Sequence, residues 1–219
     1  MNNEENKMNH RVFLFDLDAT VTKEEILPAL SEQVGLTEEI SELTEKTMRG
    51  ELPFKSSFLA RVDMLRPIPV SKVAEIVSNV PLHEELVAFI RNHAEDCYLV
   101  TGNLDVWIEK LMQKIGLPMS HCFCSKASVV DDKLARVNSV LDKGRTVEQF
   151  VSPVVAVGDG SNDAEMVRLA EVGIGFGGVR PVAYSLMSNA THVIYDEHRL
   201  CGFLETLYQE EQEGIIHEE

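Results

Sequence analysis

Short apolar runs recur along the chain at 11–16, 97–101, 154–158, 172–176 and 192–195. Continuous apolar runs of this length suit strands that are buried on both faces. Helical periodicity fills most of the stretches between them, with helices expected at 83–94, 104–115, 133–151, 162–170, 181–189 and 198–212. Strands alternating with helices predict an α/β doubly wound parallel sheet with helices on both faces, a Rossmann-like core. Two of the strands end in acid. Val12 to Phe15 runs into Asp16-Leu17-Asp18-Ala19-Thr20, and Val154 to Val157 runs into Gly158-Asp159-Gly160-Ser161-Asn162-Asp163. Ligand sites of open α/β sheets lie just past the carboxyl ends of strands, so both acidic segments are expected at one sheet edge.

The stretch from Glu24 to Val80 breaks the alternation. It has helical periodicity and no convincing strand. Glu24 to Val34 reads as one helix ended by Gly35, and Thr37 starts another with Glu38 and Glu39 in its first turn. Gly50 punctuates again. Phe54, Phe58, Leu59, Val62 and Leu65 then share a helical face. Pro67 and Pro69 end that helix, and Ser71 is expected to cap a fourth. These features predict a small helical cap at 23–80, inserted after the first strand, over an α/β core formed by 1–22 and 81–219. Its point of insertion makes it a lid over the acidic edge.

The charge excludes some partners. A formal net charge of −16 argues against nucleic acid or an anionic membrane surface. Part of the acidity lies at the ends, in Glu4-Glu5 and from Glu210 to Glu219, which reads as solvated surface. No apolar run approaches the ~20 residues of a membrane span. The polar start of the chain lacks a signal-peptide stretch, so a cytoplasmic address is expected. Four cysteines, Cys97, Cys122, Cys124 and Cys201, are then expected to be reduced and partly buried. His121-Cys122-Phe123-Cys124 does not have the spacing of a zinc site.

Carboxylates clustered from Asp16, Asp18, Asp159 and Asp163 would raise one another's pKa values unless a cation joined them. A hard divalent ion such as Mg²⁺ fits an all-oxygen set. Val100-Thr101-Gly102-Asn103 follows the second strand in chain order. A hydroxyl and a glycine at a helix start can cradle an oxyanion, although Thr101 or Asn103 could equally cap the next helix. A phosphate beside the metal also needs a point cation, for which Lys143, Lys126 and Lys133 are the candidates.

These motifs, in this order, resemble those of the haloacid dehalogenase-like phosphohydrolases, and among them the phosphoserine phosphatases. The DxDx(T/V) motif is met by Asp16, Asp18 and Thr20. The hydroxyl after a hydrophobic strand is met by Thr101, the lysine best by Lys143, and GDGxND by Gly158 to Asp163. The resemblance covers nearly the whole chain. It implies that Asp16 is the nucleophile and Asp18 the general acid and base. Mg²⁺ would be bound by Asp16, Asp159 and the backbone carbonyl of Asp18, with Asp163 in support. Thr101, Gly102 and Lys143 would hold phosphate oxygens, and Asn162 would orient the substrate or its binding loop. In the cap, Glu25 is implied as the partner of a substrate ammonium, Arg61 of its carboxylate, and Met48 and Phe54 as apolar walls. For Arg61 a salt bridge on an amphipathic helix, and for Glu25 a first-turn charge, are the plainer readings.

The chain departs from the pattern in three places. Ala19 stands where the relatives often have Ser or Gly. Thr101-Gly102-Asn103 replaces Ser-Gly-Gly, which makes the loop bulkier. The segment between Cys124 and Lys143 reads as too short for the β-hairpin common there, which is expected to be reduced or absent. The expected partner is a small phosphate monoester, most simply L-phosphoserine, and the expected state is a monomer or homodimer. A phosphatase or phosphotransferase acting on another metabolite shares every core residue and differs only in its cap. A receiver-like signalling domain would also place acids, a hydroxyl and a lysine on such a sheet. Asp18, which would speed loss of the phosphoryl group, and the helical insertion argue against it. A dehalogenase would have no need of Asp18 as acid and base.

Overall fold

The computed structural model describes residues 10–48 and 51–216. Gly50, and the acidic side chains of Glu4, Glu5 and Glu210 to Glu219, lie outside what is described. In chain order the elements are β1 (Val12–Asp16), α1 (Ile26–Val34), α2 (Thr37–Met48), α3 (Phe54–Leu65), α4 (Val70–Ser78), α5 (Glu84–Asn92), β2 (Cys97–Leu104), α6 (Asp105–Ile115), β3 (Cys122–Val130) and β4 (Lys133–Ser139). Then come α7 (Gly144–Val147), β5 (Val154–Gly158), α8 (Ala164–Leu169), β6 (Val172–Phe176), α9 (Tyr184–Met187), β7 (His192–Ile194) and α10 (Glu197–Ile216).

The seven strands form one sheet in the order β4-β3-β2-β1-β5-β6-β7, parallel throughout except for the antiparallel β3–β4 pair. β1 lies between β2 and β5, where the winding direction reverses, and its carboxyl end opens the crevice in which such sheets bind ligands. Its side chains alternate between the two faces. Phe13 and Phe15 join a core with Phe89 of α5, Trp107 of α6 and Leu204 of α10. Leu14 joins the opposite core with Val147, Met166 and Leu186 of α7, α8 and α9. Full burial of such a side chain stabilises by about 1.5–3 kcal/mol each, which is what fixes β1 at the centre.

Four helices lie between β1 and α5, as the periodicity requires. α1 starts at Ile26, two residues later than the pattern suggests, and Gly35 ends it in the left-handed conformation at φ 75°. Phe58, Val62 and Leu65 of α3 are buried, and Leu59 is partly exposed. α1, α2 and α3 pack on one another, whereas α4 packs mainly on α6 of the core.

Three expectations fail here. Residues 133–151 do not form one helix: Lys133–Ser139 is strand β4, and only Gly144–Val147 is helical. The β-hairpin between Cys124 and Lys143 is therefore present in full as β3–β4. Its turn explains the error. Asp131 and Asp132 both take positive φ, 49° and 60°, as a tight two-residue hairpin turn requires, but without the Asn-Gly or Asp-Gly signature. Third, Ser71 does not cap α4, which begins at Val70 behind Pro69. Its first-turn donors are satisfied by the hairpin tip instead. Val70 N–H donates to the Asp132 carbonyl at 2.8 Å, and Ser71 N–H and Oγ donate to the Asp132 carboxylate at 2.8 and 2.5 Å. All four cysteines are free and buried. His121 lies with Nδ1 3.0 Å from the Cys97 carbonyl and stacks on Tyr98.

Candidate active site

Two strand ends and the start of α7 converge on one cluster. β1 delivers Asp16, the turn after β5 delivers Asp159 and Asp163, and the residue before α7 is Lys143. Oxygens of Asp16, Asp159 and Asp163 all lie within 4.8 Å of one another, and all three residues are buried. Lys143 Nζ donates to Asp16 Oδ1 and, at 2.6 Å, to Asp163 Oδ1. Lys126 instead lies 3.7 Å from Asp105, and Lys133 opens β4. Asp16 Oδ1 also accepts Leu17 N–H at 2.7 Å, while Oδ2 accepts no hydrogen bond among the described residues. One oxygen of Asp16 is thus pinned and the other is left with its lone pairs.

The electrostatics call for a further cation. Burial, followed by repulsion from Asp163, pushes the Asp16 carboxyl well above the carboxylate range, and Lys143 only partly opposes this. Burial raises Asp159 to about 7, against the pull of Arg180 and with repulsion from Asp163. Although burial opposes it, Lys143 is held upward by Asp16 and Asp163. Asp159 Oδ1 is buried and has no hydrogen-bond partner among the described residues. An orphaned carboxylate oxygen beside two more acids, with no nitrogen or sulfur in the set, fits a hard divalent cation. Glycine makes the cluster possible: a Cβ on Gly158 would fall 2.6 Å from the Asp163 Cβ.

Asp18 sits beside this cluster. Its Oδ1 accepts the N–H of Ile26, the first residue of α1, at 2.9 Å. Its Oδ2 accepts Asn103 Nδ2 at 2.5 Å and Thr101 Oγ1 at 3.4 Å. Burial and then Glu25 raise Asp18 to about 6, so it can hold or release a proton near neutrality. The loop between Asp18 and α1 is tied by Thr22, whose hydroxyl accepts Ala19 N–H at 3.1 Å and reaches the Glu24 carbonyl at 2.7 Å. Ala19 takes the left-handed φ of 55°, a region that favours glycine. Thr20 is fully buried with its hydroxyl unpartnered among the described residues.

Thr101 and Gly102 lie at the end of β2, but neither Thr101 nor Asn103 caps a helix. β2 continues to Leu104, and α6 starts at Asp105 with no side-chain cap. Gly102 meets the cap directly, since a Cβ there would fall 2.7 Å from the Phe54 ring. Above the acids is a cavity whose lining includes Asp16, Asp18, Glu25, Phe54, Arg61 and Asn162. Thr44, Thr47, Gly102, Asn103, Ser161 and Arg180 also border it. The expected cap residues thus reach the acids, except that the side chain of Met48 lies outside what is described.

Arg61 is 5% exposed. It donates to Thr44 Oγ1 at 3.1 Å and to the Ser57 carbonyl at 3.4 Å, and it forms no ion pair among the described residues. It is a buried guanidinium facing a cavity, not half of a helix-surface salt bridge. Burial lowers its pKa, while Glu25 and Asp18 pull it back up. Glu25 has a partner that the sequence did not suggest. It pairs with Arg180, which also donates from Nε to Asp159 Oδ2 at 2.5 Å. Arg180 follows Gly177-Gly178-Val179 in the loop after β6, and its place past a strand end was the one signal that could have found it. The sequence marks Asn103 by its bulk and as a possible helix cap, not by its hold on Asp18.

The geometry agrees with the comparison to known proteins. The model of the haloacid dehalogenase-like hydrolase family matches residues 13–168. The chain belongs to that family. It is 33% identical over 181 residues to a phosphoserine phosphatase of Archaeoglobus fulgidus, covering 76% of this chain and 52% of that one. The chain thus spans about half the length of that relative. It is 29% identical to a phosphoserine phosphatase of Methanocaldococcus jannaschii, covering 76% of this chain and 85% of the other. A solved structure described as a phospho-aspartyl intermediate analogue of phosphoserine phosphatase superposes with a TM-score of 0.70 at 27% identity. That match covers 86% of this chain and 94% of the other.

Proposed function

We propose that this HAD-family protein is a Mg²⁺-dependent phosphatase that hydrolyses L-phosphoserine through an aspartyl-phosphate on Asp16. The observation that carries the substrate reading is Arg61, a buried cation that has no ion-pair partner among the described residues and faces the cavity over the acids. Leaving such a charge unpaired is costly, and a substrate carboxylate would relieve it. Glu25, held by Arg180 and lining the same cavity, offers its carboxylate to the ammonium. Mg²⁺, held by Asp16, Asp159, Asp163 and the Asp18 carbonyl, would neutralise the phosphate dianion that otherwise repels a carboxylate nucleophile.

The residues then divide the work. Asp16 Oδ2 forms the bond to phosphorus as the ester P–O bond breaks, while Oδ1 stays with Lys143 and Leu17 N–H. Asp18 gives its proton to the leaving alkoxide and then accepts one from the water that attacks the acyl phosphate. Thr101, Lys143 and the Gly102 N–H stabilise the equatorial oxygens. Asn162 orients the bound ester. Phe54 closes on Gly102 and keeps water from Asp16 until the alcohol has left.

The test is phosphate release from L-phosphoserine and from p-nitrophenyl phosphate, with wild type and Arg61→Ala. An unpaired buried carboxylate costs ~2–4 kcal/mol, so kcat/KM for phosphoserine should fall about 30- to 1000-fold. The aryl ester has no carboxylate and should change little. Equal losses on both would assign Arg61 to cap closure. Wild-type activity on the aryl ester with none on phosphoserine would favour another small monoester.

A further inference from the structure

Asn103 occupies an irregularity in β2. Thr101 pairs with Cys124 and Leu104 with the next residue of β3, Ser125, so Gly102 and Asn103 are left without a partner on that side. A bulge of this kind re-aims a side chain. Asn103 is 4% exposed, borders the cavity, and directs its amide at the proton-transfer carboxylate. Nδ2 donates to Asp18 Oδ2 at 2.5 Å and to Thr101 Oγ1 at 3.0 Å, and the backbone N–H donates to the same hydroxyl at 3.2 Å. The other Asp18 oxygen is fixed by Ile26 N–H.

We infer that Asn103 is a positioning residue that holds Asp18 Oδ2 in place for proton transfer to the leaving oxygen. The inference rests on the phosphatase reading above and deepens it. A carboxylate oxygen has two lone pairs. The Asn103 amide engages one at 2.5 Å, and the other, which meets only the long 3.4 Å contact from Thr101, serves the proton in flight once that hydroxyl turns to the phosphate. Asn103 donates and has no acidic proton, so it fixes Oδ2 without competing for the transfer. Without it, Oδ2 would keep only the long contact to Thr101, and the carboxylate could turn about its side-chain torsions. Misplacement of a catalytic group by even about 1 Å is costly in catalysis.

The experiment compares leaving groups. A p-nitrophenolate leaves without protonation, whereas an alkoxide needs the acid. kcat/KM reports the steps up to formation of the acyl phosphate, so it isolates this proton transfer from the later hydrolysis. For Asn103→Ala and Asn103→Gly, kcat/KM on L-phosphoserine, or on whichever alkyl phosphate wild type turns over, should fall about 10- to 100-fold. On p-nitrophenyl phosphate both should stay within about threefold of wild type. Asp18→Asn should show the same contrast between esters, more strongly. Equal losses on both esters in variants of wild-type Tm, or no loss on either, would overturn the inference. A loss of Tm with loss of both activities would also overturn it, because Asn103 would then hold the loop and not the acid. If wild type released phosphate from no ester at all, the phosphatase reading would fail, and this inference with it.

Discussion

Asp16 is defined by what surrounds its two oxygens. Oδ1 is occupied by Lys143 and Leu17 N–H, and Oδ2 is open. Asp16→Asn should therefore keep the fold and lose turnover by on the order of 10³-fold or more, because the amide cannot attack phosphorus. Circular dichroism with steady-state phosphate release checks this, and retention of more than a few per cent of activity without deamidation would remove Asp16 as nucleophile. The acids and Thr101 stand out in the sequence because each sits in a motif at the end of an apolar run. Lys143 was separated from Lys126 and Lys133 only by resemblance, and the structure separates them by burial. Arg180 and the grip of Asn103 on Asp18 were not legible. Both depend on loop conformations that bring residues 21 and 85 positions apart into contact, and no local pattern encodes those contacts.

At the scale of elements, strands and long helices were readable because burial on the sheet and helical periodicity leave strong marks. The β3–β4 hairpin was not, because β4 buries little besides Leu134 and so carries no apolar run. The link between the ends of the core is another contact invisible to periodicity. Glu197, the first residue of α10, accepts Glu85 N–H at 2.8 Å and Leu86 N–H at 3.3 Å at the start of α5, and its other oxygen lies 2.8 Å from His83 Nδ1. It supplies the cap that α5 does not provide for itself. Burial opposes its ionisation, but the His83 and backbone hydrogen bonds prevail and hold Glu197 below the ordinary carboxylate value. A depressed carboxyl stabilises the fold above its unfolded pKa and loses that contribution as pH falls through the folded value. Glu197→Ala should cost about 1–2 kcal/mol near pH 7, with the difference from wild type shrinking below about pH 4. Thermal melts of both proteins across pH check this; a difference that does not vary with pH would show that the charge is not what matters.

For the whole molecule, the buried acids would couple binding of a divalent cation to stability. Among the described residues, Asp16, Asp159 and Asp163 are crowded with only Lys143 and a shared Arg180 against them. Saturating Mg²⁺ should raise Tm by about 5 °C, since ligand at ~100 times its Kd adds about 2.7 kcal/mol. Ca²⁺ should bind but inhibit, because it takes more oxygens and can engage both oxygens of Asp16. Calorimetry and activity after EDTA treatment check both, and full activity in metal-free protein would contradict them. α1 to α3 carry Arg61 and Phe54 over the site, while α4 packs on the core and is clasped by the hairpin tip. The most direct test of the central claim is to trap the intermediate on Asp16. Enzyme turning over its phosphate ester with Mg²⁺ is quenched in acid, reduced with borohydride and mapped by peptide mass spectrometry. The account predicts homoserine at position 16, the reduction product of an aspartyl-phosphate, and no such product in Asp16→Asn. Turnover with residue 16 unmodified, or the product at another carboxylate, would contradict it.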